Sequence, residues 1–159
     1  MRSNLVGTGI VPLPKHKTPR VQEYLAEQWL KWTDYSDFDG STDFYGQQAS
    51  MTEAMVRDGE SFARFRVGVK ANGEPIARGV VPLQIEVLDA DFVPLETSWA
   101  RFSDIPEGNR VVSGIELDPD GRRVAYHVYS EHPNETTSRA NAMKTLRIPA
   151  EDMIHLRRT

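Results

Sequence analysis

Cysteine is absent from this 159-residue sequence, which excludes a disulfide framework, a thiol nucleophile and any cysteine-ligated zinc or iron–sulfur site. Histidine is scarce. The four are His16, His127, His132 and His155, and no two of them stand at the His-x-x-x-His spacing that places two metal ligands on one helical face. Long apolar runs are also missing: Gly79-Val-Val-Pro-Leu83 and Val111-Val112 are far too short to cross a bilayer. The opening Met1-Arg-Ser-Asn-Leu-Val-Gly-Thr-Gly-Ile10 lacks the sustained apolar stretch of a signal peptide, so nothing points to export. Positive charge is not in excess. Nineteen Lys and Arg face 23 Asp and Glu, a net charge of −4, so the chain as a whole is not expected to be drawn to DNA or to an anionic membrane.

What remains is material for a folded core. Hydrophobic residues make up 39% and charged residues 26%, within the range of ordinary globular domains, and the length suits one of them. Residues 1–18 form an extended segment by expectation, because Pro12, Pro14 and Pro19 around the basic trio Lys15, His16 and Lys17 forbid a helix. Thr18-Pro19 is a helix entrance, since the missing N–H of proline costs nothing in the first turn. Val21, Tyr24, Leu25, Gln28, Trp29 and Trp32 then keep helical spacing, predicting an amphipathic helix over 19–34. After the acidic turn Asp34–Gly40, Ser41 can cap a second helix with Phe44, Gln48, Met51, Thr52 and Met55 on its inner stripe and Gly59 as its stop.

Beyond Gly59 the period changes to two. Ala63, Phe65, Val67 and Val69 alternate with Arg64, Arg66 and Gly68, and Asn72-Gly73 is a hairpin signal. Leu83, Ile85 and Val87 mark the next strand, followed by a long excursion over 92–109 anchored at Trp99 and Phe102. Val112–Leu117 and Val124–Val128 flank the turn Asp118-Pro-Asp-Gly121 as a second hairpin, 131–145 reads as a polar surface loop, and 146–148 and 153–156 add short strands. Helices first and strands after predict an α+β fold: two N-terminal amphipathic helices (19–58) packed on a mainly antiparallel sheet of five to six strands (61–157), as one domain over 19–159.

Few residues carry chemistry. Gly7-Thr-Gly9 has no preceding strand and no lysine to complete a phosphate loop. Asp89 and Asp91 can project to one side of a strand end and share a cation, but a solvated strand terminus is the plainer reading. Asp118 and Asp120 are what the hairpin turn asks for. His127 lies mid-strand with His132 after it, and neither Ser130 nor Glu131, adjacent in sequence, supplies a general-base geometry. His155 suits an inter-strand hydrogen bond, and Asn134-Glu-Thr136 carries no weight as a glycosylation site without export. Arg64, Arg66, Arg122, Arg123, Arg157 and Arg158 make a basic stripe only if their strands are neighbours. No catalytic, cofactor or metal site follows; the enzymatic alternative is a small metal-dependent hydrolase using Asp89, Asp91, His127 and His132, and a generic interaction module with an exposed sheet edge is the third.

An ordered series of features resembles the lambda-type phage portal proteins. They are Val6-Gly-Thr-Gly-Ile10, Trp29-x-x-Trp32, Arg57-Asp-Gly-Glu60 and Pro82-Leu-Gln-Ile-Glu-Val-Leu-Asp-Ala-Asp91. Gly114-Ile-Glu-Leu-Asp-Pro-Asp-Gly-Arg-Arg-Val-Ala-Tyr126, His132-Pro133 and Ile148-Pro-Ala-Glu-Asp-Met-Ile-His155 continue it across nearly the whole chain. The resemblance implies a structural piece of the portal ring, through which DNA is packaged and ejected at one capsid vertex, with no catalysis and no cofactor. It implies other portal subunits, capsid protein and terminase as partners, and the host cytoplasm and the virion as locations. The chain resembles the wing-like N-terminal part. In the family a Gly-Gln-x-Arg-Gly region, stem helices and a clip follow, whereas this sequence stops at Thr159, so the expectation is a truncated wing. It is expected to be monomeric or weakly associated when isolated, to bind no nucleic acid specifically and to touch no membrane.

Overall fold

The computed structural model describes residues 7, 9–68, 81–95, 102, 104–134 and 144–158. Packing divides the chain into two compact units, Met1–Val87 with Leu156–Thr159, and Leu88–His155. The α+β class holds, with two helices preceding mainly antiparallel strands. Seven strands are present among the described residues, and they form one sheet of three and one of four rather than a single sheet.

The first unit opens with helix α1, Pro19–Thr33, entered through Thr18 in extended conformation with proline at the first position. Proline's fixed φ suits that position, so the chain turns into the helix without a side-chain cap. Glu27 and Lys31 pair one turn apart at 2.7 Å on its wet face. The buried part of α1 is its C-terminal end, Trp32 and Thr33, while Tyr24 and Leu25 of the predicted inner stripe are exposed. Trp29 and Trp32 meet Phe44 at ring-centroid distances of 5.2 and 5.0 Å, forming the aromatic seam between the helices.

Helix α2 spans Phe44–Asp58 and is capped by Asp43, whose Oδ1 accepts from the Gly46 N–H at 2.7 Å. Ser41, the expected cap, instead donates both its N–H and its hydroxyl to Asp37 Oδ2, at 2.8 and 3.0 Å. Gly59 ends the helix in the left-handed region at φ +93, and the chain passes directly into strand β1, Glu60–Val67. Ser61, Phe62 and Ala63 are buried in succession, so both faces of β1 are covered at its start; Val67 at its end is open. That double burial is why strict alternation does not describe this strand. Val69 and the Asn72-Gly73 signal lie outside the described residues.

Strand β2 is Leu83–Leu88, and the sheet order is β2–β1–β7, where β7 is Met153–Arg157. The Gly68 N–H donates to Pro82 O at 2.9 Å, tying the end of β1 to the start of β2. Buried Asp37 organises the connection between the helices: besides Ser41 it accepts from the Thr42 N–H and, through Oδ1, from Gln47 Nε2. Gln47 also donates to Ile85 O, and Trp32 Nε1 donates to Leu83 O, each at 2.7 Å, so both helices are fastened to β2 by hydrogen bonds as well as by packing.

The second unit holds β3 Arg110–Val112, β4 Ile115–Leu117, β5 Arg123–Tyr129 and β6 Thr145–Pro149, in that sheet order and antiparallel throughout. Sequence alternation reads Val112–Leu117 as one strand. The chain in fact reverses at Ser113 and Gly114, both with positive φ, +47 and +71, which is the two-residue turn that suits strand twist. Glycine is required at 114, because a Cβ there would sit 2.6 Å from Val93 Cγ1 and 3.2 Å from His127 O. The predicted turn at Asp118–Gly121 forms, with Arg122 N–H donating to Asp118 Oδ1 at 2.8 Å. Among the described residues, the buried apolar side chains of the second unit include Leu88, Val93, Phe102, Val111, Ala125, Tyr126 and Val128. Trp99, the other expected anchor, and residues 135–143 of the predicted polar loop lie outside the described residues.

Candidate functional site

The four residues of the hydrolase alternative do not make a site. Asp89 and Asp91 are exposed around a single 3-10 turn, Ala90–Phe92. His132 stacks edge-on against Phe92 at 5.2 Å and accepts the Asn134 N–H on Nδ1 at 3.2 Å. His127 is fully buried in β5 and bonded elsewhere. Among the described residues no group of three or more His, Cys, Asp or Glu side chains can hold a metal ion.

The partner of His127 is Glu116, eleven residues back on β4. Buried Glu116 receives four donors on its two oxygens. Arg147 Nε reaches Oε2 at 2.7 Å and Arg147 Nη2 reaches Oε1 at 2.9 Å; Asn109 Nδ2 donates to Oε1 at 2.6 Å. His127 Nε2 donates its hydrogen to Oε2 at 3.1 Å. Backbone register explains the convergence: Glu116 pairs with Ala125 across β4–β5, and His127 pairs with Arg147 across β5–β6, so side chains from three strands meet on one face.

The electrostatics follow from that geometry. The Arg147 guanidinium, against the opposing effect of burial and with help from Asn109 and His127, holds the Glu116 carboxyl down at about 2. Burial pushes His127 below its ordinary value, more than the neighbouring Glu116 raises it, so the imidazole is neutral at pH 7. Arg147 is raised in return, chiefly by its hydrogen bonds to Glu116. Both groups are buried, His127 at 1% and Glu116 at 0% exposure, so neither meets a substrate from solvent as the fold stands. The quartet is a lock across β4, β5 and β6.

A second charged group sits in the first unit. Arg64 grips Glu86 with two parallel hydrogen bonds, while Arg66 lies 3.2 Å from the same carboxylate and 4.3 Å over the Phe38 ring. Nearby Asp39 is raised by burial and by Glu86 and Asp37, opposed by Arg66 and Arg64. Two of the six arginines proposed as a stripe are thus engaged within their own sheet, and Arg122, Arg123, Arg157 and Arg158 are exposed. His155 accepts or donates at Nδ1 with Tyr126 Oη at 3.3 Å, the inter-strand bond expected of it. Sequence reasoning missed Glu116, Arg147 and Asn109, because a glutamate between Ile115 and Leu117 reads as the wet face of a strand.

No helix among the described residues is long and apolar enough to cross a membrane. The family model described as phage portal protein, lambda family, matches residues 1–159. No curated protein matches the chain. The family model covers every residue, and the chain belongs to the lambda family of phage portal proteins, whose role is structural.

Proposed function

We propose that this chain serves as the wing-like part of a portal vertex, the ring through which phage DNA is packaged and ejected. The family match over residues 1–159 carries this reading. In it, the extended segment 1–18 leads into a wing-like domain over 19–159 that meets neighbouring portal subunits and capsid protein, with terminase docking at the same vertex. It acts without cofactor or metal, in the cytoplasm of the bacterial host during assembly and in the virion afterwards. Two features of the fold support a load-bearing part: a buried ionic lock across β4, β5 and β6, and helices hydrogen-bonded to a β-strand at Gln47 and Trp32.

The test is to tag the chain in its phage background, induce assembly and purify particles on a density gradient. The tagged chain is expected to co-sediment with capsids at low copy relative to the major capsid protein, and labelled antibody is expected at a single vertex. A chain found only in the soluble fraction, with particles assembling normally in its absence, refutes the reading.

A further inference from the structure

We propose that the stretch Lys15–Arg20 is a contact for the sugar–phosphate backbone of nucleic acid, made without regard to base sequence. Net acidity conceals a sharp segregation of charge. From Met1 to Gln22 the sequence has four basic residues (Arg2, Lys15, Lys17 and Arg20) and no acidic one, and Glu23 is the first acid. The remaining 137 residues hold 15 basic and 23 acidic side chains, so a locally positive stretch is joined to a body of net charge −8. Basic segments of this kind attract polyanions at short range whatever the total charge.

The structure gives that stretch a shape. Lys15, His16, Lys17 and Gln22 line a shallow depression wide open to solvent. Gln22 Nε2 donates to His16 O at 2.6 Å, and the Thr18 N–H donates to His16 Nδ1 at 3.1 Å. These two bonds hold the bend and leave the His16 ring proton on Nε2, the outer nitrogen. Among the described residues no carboxylate pairs with Lys15, Lys17 or Arg20, and all three are exposed. Some cations of the body are paired, Lys31 with Glu27, Arg57 with Asp58, Arg64 with Glu86 and Arg147 with Glu116, and exposed ones such as Arg122 and Arg123 stand in a chain rich in acids, unlike the acid-free stretch before Glu23.

The chemistry favours phosphates over an acidic protein surface. Lysine offers a point charge on a flexible stem, which follows charge density rather than the planar outline of a carboxylate. A duplex supplies a phosphate charge about every 1.7 Å of its length, so three cations spread over a bend and the first turn of α1 find partners in any register. The choice of nucleic acid rests on the portal reading above, in which DNA passes the assembly. Three phosphate contacts release counterions and give a log Kd that varies with log salt at a slope of about 2.7.

The full chain is titrated with a fluorescein-labelled, random-sequence duplex about 30 base pairs long, by anisotropy, at NaCl concentrations from about 25 to about 200 mM. Binding is expected at about 10⁻⁵ M at the lowest salt, weakening with the slope given above. The double variant Lys15→Ala/Lys17→Ala is expected to bind at least about tenfold more weakly, with its slope reduced by about two, and to keep the wild-type circular dichroism spectrum. A control, Arg122→Ala/Arg123→Ala, removes two exposed cations of the second unit and is expected to leave affinity and slope unchanged. Unaltered binding in the lysine variant overturns the proposal. So does equal or tighter binding of poly-glutamate of matched charge, which would reassign the stretch to an acidic protein. Neither result touches the detection of the chain in particles, so the two readings fail separately.

Discussion

Replacing Glu116 by Gln tests the buried lock with almost no change of shape. Glu116 accepts two donors on each oxygen, with Arg147 contributing one to each. Glutamine has one accepting oxygen, so either orientation of its amide sets an N–H₂ group against Arg147 and one further donor. A carboxyl held at about 2 in the fold and near 4.5 when free stores on the order of 3 kcal/mol at neutral pH. The Arg147 side chain is 31% exposed and recovers some hydration when its partner is lost, so the expected destabilisation is about 2–3 kcal/mol at pH 7.

The pH dependence separates this mechanism from a simple packing defect. The folded pKa of Glu116 lies below its unfolded value, so its contribution is complete above about 4.5 and is lost as pH falls towards about 2. The folded pKa of His127 is also lowered, so the unfolded chain takes up that proton first and stability begins to fall below the ordinary histidine value of 6.5. Urea unfolding at pH steps from neutrality downward, followed by far-ultraviolet circular dichroism, gives wild-type-minus-variant curves. For E116Q that difference should be constant from pH 7 to about 5 and shrink at lower pH, by up to about 1.4 kcal/mol per pH unit. Amide exchange at Ala125 and Val128 should accelerate with it, which places the loss in the four-stranded sheet. A difference that persists unchanged to pH 2, or no difference at pH 7, refutes the assignment of Glu116 as a paired carboxylate.

Three further perturbations follow from the same geometry. Gly114→Ala forces a methyl group against Val93 and the His127 carbonyl at φ +71 and should cost about 2–4 kcal/mol in urea titrations, whereas Gly121→Ala, with open space around it at φ +81, should cost about 1 kcal/mol. Equal costs would discard the steric argument. Asp37→Asn keeps only one accepting oxygen where Oδ2 serves Ser41 and Thr42 and Oδ1 serves Gln47, and should lower stability by about 2 kcal/mol; an unchanged unfolding curve would show that the buried carboxylate is not what holds the turn. Treatment with EDTA, or addition of zinc or manganese, should leave the thermal midpoint where it is, and a rise of several degrees with either metal would reopen a metal site at Asp89, Asp91 or His132.

Local chemistry was legible in the sequence and long-range pairing was not. Thr18-Pro19 and Gly59 mark real helix boundaries because each acts through its own backbone torsions. The cap of α2 moved from Ser41 to Asp43 because Asp37 captures Ser41, a competition between neighbours that spacing alone does not rank. Ser113-Gly114 was hidden inside an apparent strand, since Val112, Ile115 and Leu117 are apolar on both sides of the turn. Tyr24 and Leu25 keep perfect helical spacing and are nonetheless exposed, since periodicity identifies a stripe without saying what covers it.

His127 shows why the chemical content of a site lies in its partners. A histidine beside a carboxylate is equally the start of a general-base pair and the middle of a structural network, and sequence supplies no means of choosing. Burial and the partners together do. Glu116 is held by Arg147, Asn109 and His127 on its two oxygens, and His127 at 1% exposure has no path to a substrate, so the pair serves the sheet. Arg147 lies 31 residues beyond Glu116 and reaches it only because β6 pairs with β5 in the register that sets His127 opposite Arg147. The distinction between reactive pair and lock is therefore written in strand register. In a protein whose family role is structural, the most polar buried cluster belongs to the sheet, and the cations of the Lys15–Arg20 stretch are among the exposed charges that remain to meet another molecule.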